Sequence, residues 1–378
     1  MQQWLSQLYA ALDNLKIEQQ YRELKYYSKI DFISNDYLGI AKCNTLSALM
    51  REDLDKGVPL GSTGSRLLSG NTAWHEDAES FFKMYFDCAA SLIMNSAYDA
   101  NVAVLSTLPN RNDIILYDEK VHASIKEGMR LSFAERYAVK HNDWNDLEKK
   151  LQKYRQNKSL SNIFYVFETV YSMDGDIPAV FELLKLAQKY EIILIADEVH
   201  AFGVFGHEGQ GILQHYNLHN FVPVRIMGFG KAAATSGAVI AVQDVAIQKY
   251  LINKARSFIY TTAVSPFQVR VMQKSAELIK KSTYERSKLH QNITLFQNLL
   301  LDFSICTPII PIVTGSKLQA IFDAVQKAGF DVGMVRSPTV PRGKERLRIS
   351  VHTHNSDDEI KHLVEVIKGC LSASLIAE

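Results

Sequence analysis

Four side chains that could do chemistry each follow closely after a short apolar run: His122, Glu168, Asp197 and Lys231. An acid, an imidazole and an amine can together move protons and form a covalent bond to a carbonyl carbon. Any one of them alone would be an ordinary cap or loop residue. Their common position after an apolar run favours one shared site.

Lys231 lies in the stretch GFGKAAATSGA, residues 228–238, where most neighbours are glycine or alanine. A solvated turn between two strands would explain a single lysine there. The alternative interpretation is that no large side chain covers the lysine, so that a large, flat ligand has room to bind to it.

The elements that must position these side chains alternate between strand and helix patterns. Residues 180–190 carry apolar side chains at helical spacing. The predicted strands are short, apolar and rich in β-branched residues: 113–118, 162–167, 192–196, 224–227 and 238–242. This succession predicts an α/β fold, with a mostly parallel central sheet and helices on both faces. Ligands of such sheets bind beyond the carboxyl ends of the strands, where the candidate side chains lie.

The last part of the chain has the pattern of a smaller α+β domain. We predict an N-terminal segment 1–44 that packs with the small domain, a large domain 45–284 and a small domain 285–378. The predicted boundary falls near the middle of a long helical stretch. The HTH motif at 352–354 offers side chains that ligate metals, but we interpret it as the end of an exposed strand and predict no metal site.

Composition excludes several function classes. The chain has 378 residues, a formal net charge of +1 and 47% hydrophobic residues, which indicates neither nucleic acid nor a membrane as a partner. Its four cysteines form no CxxC pair, and we expect a cytoplasmic protein. The phosphate-loop pattern GxxxxGK[ST] fails at Arg225 and Ala232, so a nucleotide-binding module has no motif in its favour.

A cofactor with a ring, a phosphate and an aldehyde fits the candidate residues, namely pyridoxal 5′-phosphate (PLP). Lys231 would form a Schiff base with it, and Asp197 would keep its ring nitrogen protonated. His200 would reach the phenolic oxygen, and His122 would lie flat on the ring. The phosphate would bind at the N-terminus of a predicted helix, beside Ser96, Ala97 and Tyr98.

The sequence resembles the α-oxoamine synthases over residues 30–368. The resemblance lies in eight motifs that occur in order: DFISNDYLG, SRLLSGN, YDEKVHAS, ETVYSMDGD, DEVHAFGVFG, GFGKAAATSGA, SFIYTTAVSP and RSPTVPRGKERLRIS. It implies a fold-type I PLP-transferase that condenses an amino acid with an acyl thioester and loses CO2. The member it resembles most uses L-alanine and a pimeloyl thioester in biotin biosynthesis. 5-Aminolevulinate synthase, glycine C-acetyltransferase and serine palmitoyltransferase share most of the motifs, so their activities stay open as alternatives.

The resemblance also implies roles for single residues. Lys231 would carry PLP and move the α-proton, with Asp197 and His122 as the other catalytic residues. Ser172 would contact the cofactor near its phenolic oxygen. Thr262 would bind the phosphate in the neighbouring subunit, which implies a homodimer with shared active sites.

The substrates would be bound by a further set implied by the resemblance: Arg348, Asn35, Thr339 and Arg22. A guanidinium suits the carboxylate of the amino acid because it can make two parallel hydrogen bonds. Arg346 points the same way on the predicted strand, so one of these two arginines could simply be solvated.

Two residues depart from the family pattern. Gly228 stands where a threonine or serine hydroxyl usually binds the phosphate, and Ala97 replaces a usual glycine. A hydrogen bond to a charged group contributes roughly 1.5–3 kcal/mol, so its loss predicts weaker cofactor retention unless Thr262 or water compensates. A PLP-binding paralogue with weak or altered activity is therefore a second hypothesis.

Overall fold

The computed structural model describes residues 1–18, 20–157, 161–302, 304 and 306–373. The chain forms two units. The large unit comprises Asn35–Ser172 and Asp176–His290, and the small unit comprises Met1–Ser34, Met173–Gly175 and Gln291–Glu378. The domain boundaries predicted from the sequence remain a proposal.

The strands form one sheet in each unit. In chain order they are β1 (Ile30–Phe32), β2 (Ala90–Met94), β3 (Ile114–Asp118), β4 (Glu135–Val139), β5 (Ile163–Glu168), β6 (Ile193–Asp197), β7 (Val224–Gly228), β8 (Ala238–Val242), β9 (Ile309–Val313), β10 (Phe330–Val335) and β11 (Arg346–Ser350). The sheet of the large unit has the order β2-β8-β7-β6-β5-β3-β4.

The large sheet is mostly parallel, as the sequence predicts. Five neighbouring strands run parallel to one another, in the order β7-β6-β5-β3-β4. Strand β8 pairs antiparallel with both β7 and β2. Every residue of β5, β7 and β8 is buried. Strands buried on both faces need no alternation of polar and apolar residues, which explains the continuous apolar run of β8. The predicted α/β architecture with a mostly parallel central sheet is confirmed.

The helices of the chain are α1 (Gln2–Ile17), α2 (Asn44–Asp55), α3 (Ala73–Tyr85), α4 (Ala97–Thr107), α5 (Ala123–Arg130), α6 (Trp144–Asn157), α7 (Val180–Tyr190), α8 (Ile212–His215), α9 (Val245–Lys254), α10 (Arg256–Ile259), α11 (Pro266–Lys281), α12 (Thr283–Leu300), α13 (Leu318–Lys327) and α14 (Asp357–Ala373). Short 3-10 turns cover Ile40–Lys42, His219–Phe221 and Gly315–Lys317. Helix α4 packs against α5 and against β7. Within the described residues, no helix has both the length and the apolar character needed to cross a membrane.

The small unit has a four-stranded sheet in the order β1-β10-β11-β9. Strand β1, from the N-terminal segment, pairs parallel with β10, and the other two pairings are antiparallel. Helices α13 and α14 pack on each other, and α13 packs on β10 and β11.

The interpretation of the HTH motif as an exposed strand end is wrong. Strand β11 ends at Ser350, and His352 is fully buried. Its Nδ1 lies 3.1 Å from Oδ1 of Asn355 and its Nε2 lies 3.1 Å from Oγ of Ser34. A buried imidazole needs such partners, and the pattern of apolar residues does not reveal them.

The same histidine lies in a group that could offer ligands to a metal, together with Asp31 and His354. The rings of His352 and His354 stack with centroids 4.7 Å apart and planes 10° apart. Stacked parallel rings direct their nitrogen lone pairs into separate planes, which is unfavourable for binding one ion.

Candidate active site

Asp197 is the last residue of β6, and its carboxylate is buried. Its Oδ1 accepts the backbone N–H of Val199 at 2.9 Å, and its Oδ2 accepts Nδ2–H of Asn101 at 2.8 Å. Burial raises the pKa of Asp197, while these two hydrogen bonds and the charges of His122 and Lys231 act in the opposite direction. A buried carboxylate of this kind is stabilised by a cationic partner.

A chain of hydrogen bonds runs from Asp197 to the candidate histidine His122. Asn101 is the shared donor, because its Nδ2 also lies 3.1 Å from Oγ of Ser124. The Ser124 hydroxyl lies 2.8 Å from Nδ1 of His122, and the Ser124 N–H donates to the same nitrogen at 3.2 Å. Because Nδ1 accepts a backbone N–H, the ring proton of neutral His122 lies on Nε2.

The pKa of His122 is lowered, mainly by burial. The negative charge of Asp197 acts to raise this pKa, whereas the nearby ammonium of Lys231 acts to lower it. A neutral imidazole is therefore the favoured form of His122 at neutral pH. Such a ring can stack on a flat, electron-poor ligand without adding a charge beside Lys231.

Glu168, at the end of β5, holds two of the loops that carry candidate residues. Its carboxylate accepts the backbone N–H of His122 and that of Ser172. Burial and the neighbouring charge of Asp197 raise the pKa of Glu168 well above its ordinary value. Glu168 thus positions the start of α5 and the loop after β5.

His200 is oriented by Tyr37, which is fully buried. The Tyr37 hydroxyl lies 2.9 Å from Nδ1 of His200 and donates to Oδ1 of Asn35 at 3.0 Å. A phenol has one proton, so a hydroxyl that donates to Asn35 must accept from His200. The contact therefore places a proton on Nδ1 of His200 and directs Nε2 away from Tyr37.

Lys231 is half-buried in the turn that follows β7. Two of the small residues that follow it are packed against other parts of the protein, whereas Gly230 is exposed and a Cβ there would meet only the carbonyl oxygen of Thr235, at 3.7 Å. Ala232 and Ala233 are fully buried, and the carbonyl of Ala233 accepts the hydroxyl of Ser275 at 2.6 Å. A Cβ at Gly237 would lie 2.5 Å from the sulfur of Met272. Small side chains here let the main chain that carries Lys231 pack closely.

The predicted phosphate site lies at the first turn of α4. Ser96 caps this helix: its Oγ accepts the N–H of Asp99 at 3.0 Å and donates to Oδ2 of Asp99 at 2.9 Å. The Ser96 side chain is therefore used in the cap. The N–H groups of Ala97 and Tyr98 have no carbonyl to bond within their own helix, and they are the groups that a phosphate would use.

Thr262 is exposed, and its carbonyl accepts Nδ2–H of Asn95 at 3.1 Å. Thr261 is held by the same amide group at 3.1 Å. The segment before α4 and the loop with Thr262 are therefore fixed to each other within one chain. The role of Thr262 in a neighbouring subunit stays a prediction.

The predicted substrate residues are divided between the units. Asn35 belongs to the large unit, whereas Arg348, Thr339 and Arg22 belong to the small unit. Arg348 is buried on β11, with Nη1 2.9 Å from Oγ of Ser350. Thr339 and Arg22 are exposed, and their contacts with a substrate remain predictions.

Arg346 is also buried, so the suggestion that one of the two arginines on β11 is solvated is wrong. Its Nη1 lies 2.8 Å from Oδ1 of Asp174 and donates to the carbonyl of Met173 at 3.2 Å. The ion pair gives Arg346 a structural partner within the small unit.

Comparison with known proteins places the chain in a family. The family described as "Aminotransferase class I and II" matches residues 27–367. The chain is 36% identical over 368 residues to the 8-amino-7-oxononanoate synthase of Emericella nidulans, an alignment that covers 90% of this chain and 89% of that protein.

Two solved structures are similar over nearly the whole chain. Serine palmitoyltransferase from S. paucimobilis, with a bound PLP-myriocin aldimine, matches with a TM-score of 0.88 at 22% identity and covers 98% of each chain. The 8-amino-7-oxononanoate synthase of Francisella tularensis matches with a TM-score of 0.77 at 28% identity and covers 92% of this chain and 99% of that one. The chain belongs to the α-oxoamine synthases of the class I and II aminotransferase family.

This α-oxoamine synthase is an acyltransferase, and its cofactor is PLP. The described residues fit that cofactor. The buried carboxylate of Asp197 suits a protonated ring nitrogen, and the neutral ring of His122 suits stacking. The free N–H groups of the first turn of α4 suit the phosphate.

Sequence reasoning missed three residues of this α-oxoamine synthase site, namely Asn101, Ser124 and the orienting role of Tyr37. One signal was available for Asn101, a single amide among the buried apolar residues of α4. A buried amide needs partners, so its presence predicts a polar neighbour. Ser124 and Tyr37 carry no comparable signal because their partners are set by the fold.

Proposed function

We propose that this chain joins L-alanine to a pimeloyl thioester and releases CO2, free thiol and 8-amino-7-oxononanoate, a reaction of biotin biosynthesis. The observation that supports this class of reaction is the buried carboxylate of Asp197, which ends β6 and accepts hydrogen bonds from Asn101 and Val199. The choice of substrates is supported by the similarity to the Emericella nidulans enzyme.

When bound, PLP withdraws electrons from the α-carbon of an amino acid attached to it. Lys231 would hold the cofactor, and its Nζ would remove the α-proton of the amino acid and later return one. Asp197, oriented by Asn101, would keep a proton on the ring nitrogen. Arg348 would bind the carboxylate of the amino acid, the group that is lost as CO2.

Two histidines would hold the ring. His122, with its proton on Nε2, would cover one face of it. His200, oriented by Tyr37, would offer Nε2 to the phenolic oxygen. Ser172, whose backbone N–H is held by Glu168, would contact the cofactor near the same oxygen.

A thiol-release assay with a panel of substrates tests the proposal. The protein is incubated with PLP and with alanine, glycine or serine, and then with pimeloyl, succinyl, acetyl or palmitoyl thioesters of CoA or of acyl carrier protein. We expect thiol release and the mass of 8-amino-7-oxononanoate with alanine and a pimeloyl thioester only. Turnover with glycine or serine would assign one of the alternative activities instead.

Two variants make this assay specific. Lys231→Ala should abolish thiol release, whereas Lys249→Ala, at an exposed lysine of α9, should leave it unchanged. PLP binding without thiol release for any substrate pair would contradict the proposed reaction and favour a PLP-binding paralogue.

We also propose that the enzyme is a homodimer with shared active sites. The exposed position of Thr262 supports this. An exposed hydroxyl there is available to the phosphate site of a second copy.

A further inference from the structure

Gly228 is the last residue of β7 and is buried. Its φ lies outside the left-handed region that favours glycine. Any residue could adopt this backbone conformation, so the conformation does not explain why residue 228 is a glycine. The lack of space for a side chain at this position does.

A Cβ at position 228 would lie 2.8 and 2.9 Å from the two Cγ atoms of Val199 and 3.0 Å from Cβ of Ala97. Non-bonded carbon atoms are most stable about 3.5–4.0 Å apart. A side chain at 228 therefore requires Val199 and Ala97 to move.

Neither neighbour moves freely. The N–H of Val199 donates to Oδ1 of Asp197 at 2.9 Å, and the Val199 side chain belongs to the buried cluster that includes Met94 and Ala238. Displacing Val199 would disturb the carboxylate predicted to face the cofactor ring. Ala97 is the first residue of α4, directly after the Ser96 cap, and packs on the same cluster.

The contact with Ala97 also tells where a side chain at 228 would point. Its Cβ would lie against the first turn of α4, where the phosphate is expected to bind. A hydroxyl at this position would therefore be next to the phosphate.

We infer that Ala97, Val199 and Gly228 are a matched set in which Val199 and Ala97 fill the space of a phosphate-binding side chain at 228. The cofactor is then held without a hydroxyl from β7 and exchanges more readily than it would with one. A hydroxyl can be restored only when its two neighbours are made smaller. This inference rests on the proposed placement of the PLP phosphate at α4.

Equilibrium binding of PLP to apoprotein, together with apoprotein melting, tests the inference. We expect Gly228→Ser alone to lower the melting temperature and to weaken PLP binding, because it displaces Val199. In the triple variant Ala97→Gly/Val199→Ala/Gly228→Ser, the two neighbours are smaller and the serine has space. Its matched control is the double variant Ala97→Gly/Val199→Ala, which keeps Gly228. We expect the triple variant to bind PLP at least about tenfold more tightly than this control.

The outcomes separate this inference from the proposed function. A wild type that binds no PLP would overturn the proposed function and this inference together. A wild type that binds PLP, with a Gly228→Ser variant equally stable and equally tight, would overturn this inference alone. If Gly228→Ser does not fold, the PLP affinities of the triple variant and its matched control still test the inference. Equal affinities of those two proteins would overturn it.

Discussion

The amide of Asn101 donates to Oδ2 of Asp197 at 2.8 Å, and both groups are buried. The same amide nitrogen reaches Ser124, which holds His122, so one side chain of α4 orients two candidate catalytic residues. Asn101 is adjacent in sequence to neither Asp197 nor His122. It acts on the site only because α4 packs across the sheet.

Removing that donor should weaken the cofactor site. In Asn101→Ala, Asp197 loses a hydrogen bond that favours its charged form, so we expect PLP to bind at least about tenfold more weakly. Titration of apoprotein with PLP measures this. The control is Asn253→Ala, which removes an exposed amide on α9. Equal affinities of Asn101→Ala and the wild type would contradict the role of Asn101.

Tyr37 should control which ring nitrogen of neutral His200 carries the proton. Tyr37→Phe removes the hydroxyl that accepts from Nδ1, so the preference for a proton on that nitrogen is lost. Nitrogen-15 NMR of the labelled histidines in apoprotein distinguishes the two tautomers directly. We expect the wild type to carry the His200 proton on Nδ1 and the variant to show a mixture. A wild-type His200 protonated only on Nε2 would contradict the assignment.

His141 should stabilise the fold in a pH-dependent way. Burial opposes its charge, but hydrogen bonds to Asp118 and Asp176 outweigh this and raise the pKa of His141 to about 9. The unfolded chain has a histidine pKa of about 6.5. The stabilisation, up to about 3 kcal/mol, is therefore complete below about pH 6.5 and is lost as the pH rises through about 9.

Urea unfolding at pH 6, 8 and 10 checks this behaviour. His141→Gln should be much less stable than the wild type at pH 6, and the difference should shrink toward pH 10. The control His207→Gln removes an exposed histidine and should have little effect at any of these values. A difference between His141→Gln and the wild type that does not change with pH would contradict the charged state of His141.

Mixed dimers should reveal whether Thr262 acts in the partner's site. Lys231→Ala and Thr262→Ala should each lower activity when alone. If Thr262 serves the partner, a mixed dimer contains one site with both native residues, and activity returns on mixing and exchange of subunits. If Thr262 serves its own chain, no site in the mixed dimer is intact, and activity does not return.

The sequence predicted the central strands well because each is a short run of β-branched and aromatic residues between turn residues. It did not predict the break between α11 and α12. Ser282 separates these helices although no glycine or proline marks the position, and its backbone leaves the helical region at ψ 49. The periodicity of apolar residues continues across the break, so local pattern alone favours one long helix.

The candidate site was predictable where chemistry follows a parallel strand, because the carboxyl ends of such strands meet at one edge. Asp197 and Lys231 were chosen as candidates in this way. The supporting contacts were not, because they join distant parts of the chain. Asn101 and Asp197 are 96 residues apart in sequence, and Tyr37 and His200 are 163 apart. The fold alone brings these pairs together.

The central claim is that Lys231 carries the cofactor. Borohydride reduction of the protein with bound PLP fixes the cofactor on the lysine that holds it, and mass spectrometry of the peptides then identifies that residue. We predict the phosphopyridoxyl group on Lys231 in the wild type and in Lys249→Ala, and no such modification at this site in Lys231→Ala. A modification located on a different lysine, with Lys231 unmodified in the PLP-bound wild type, would contradict the account.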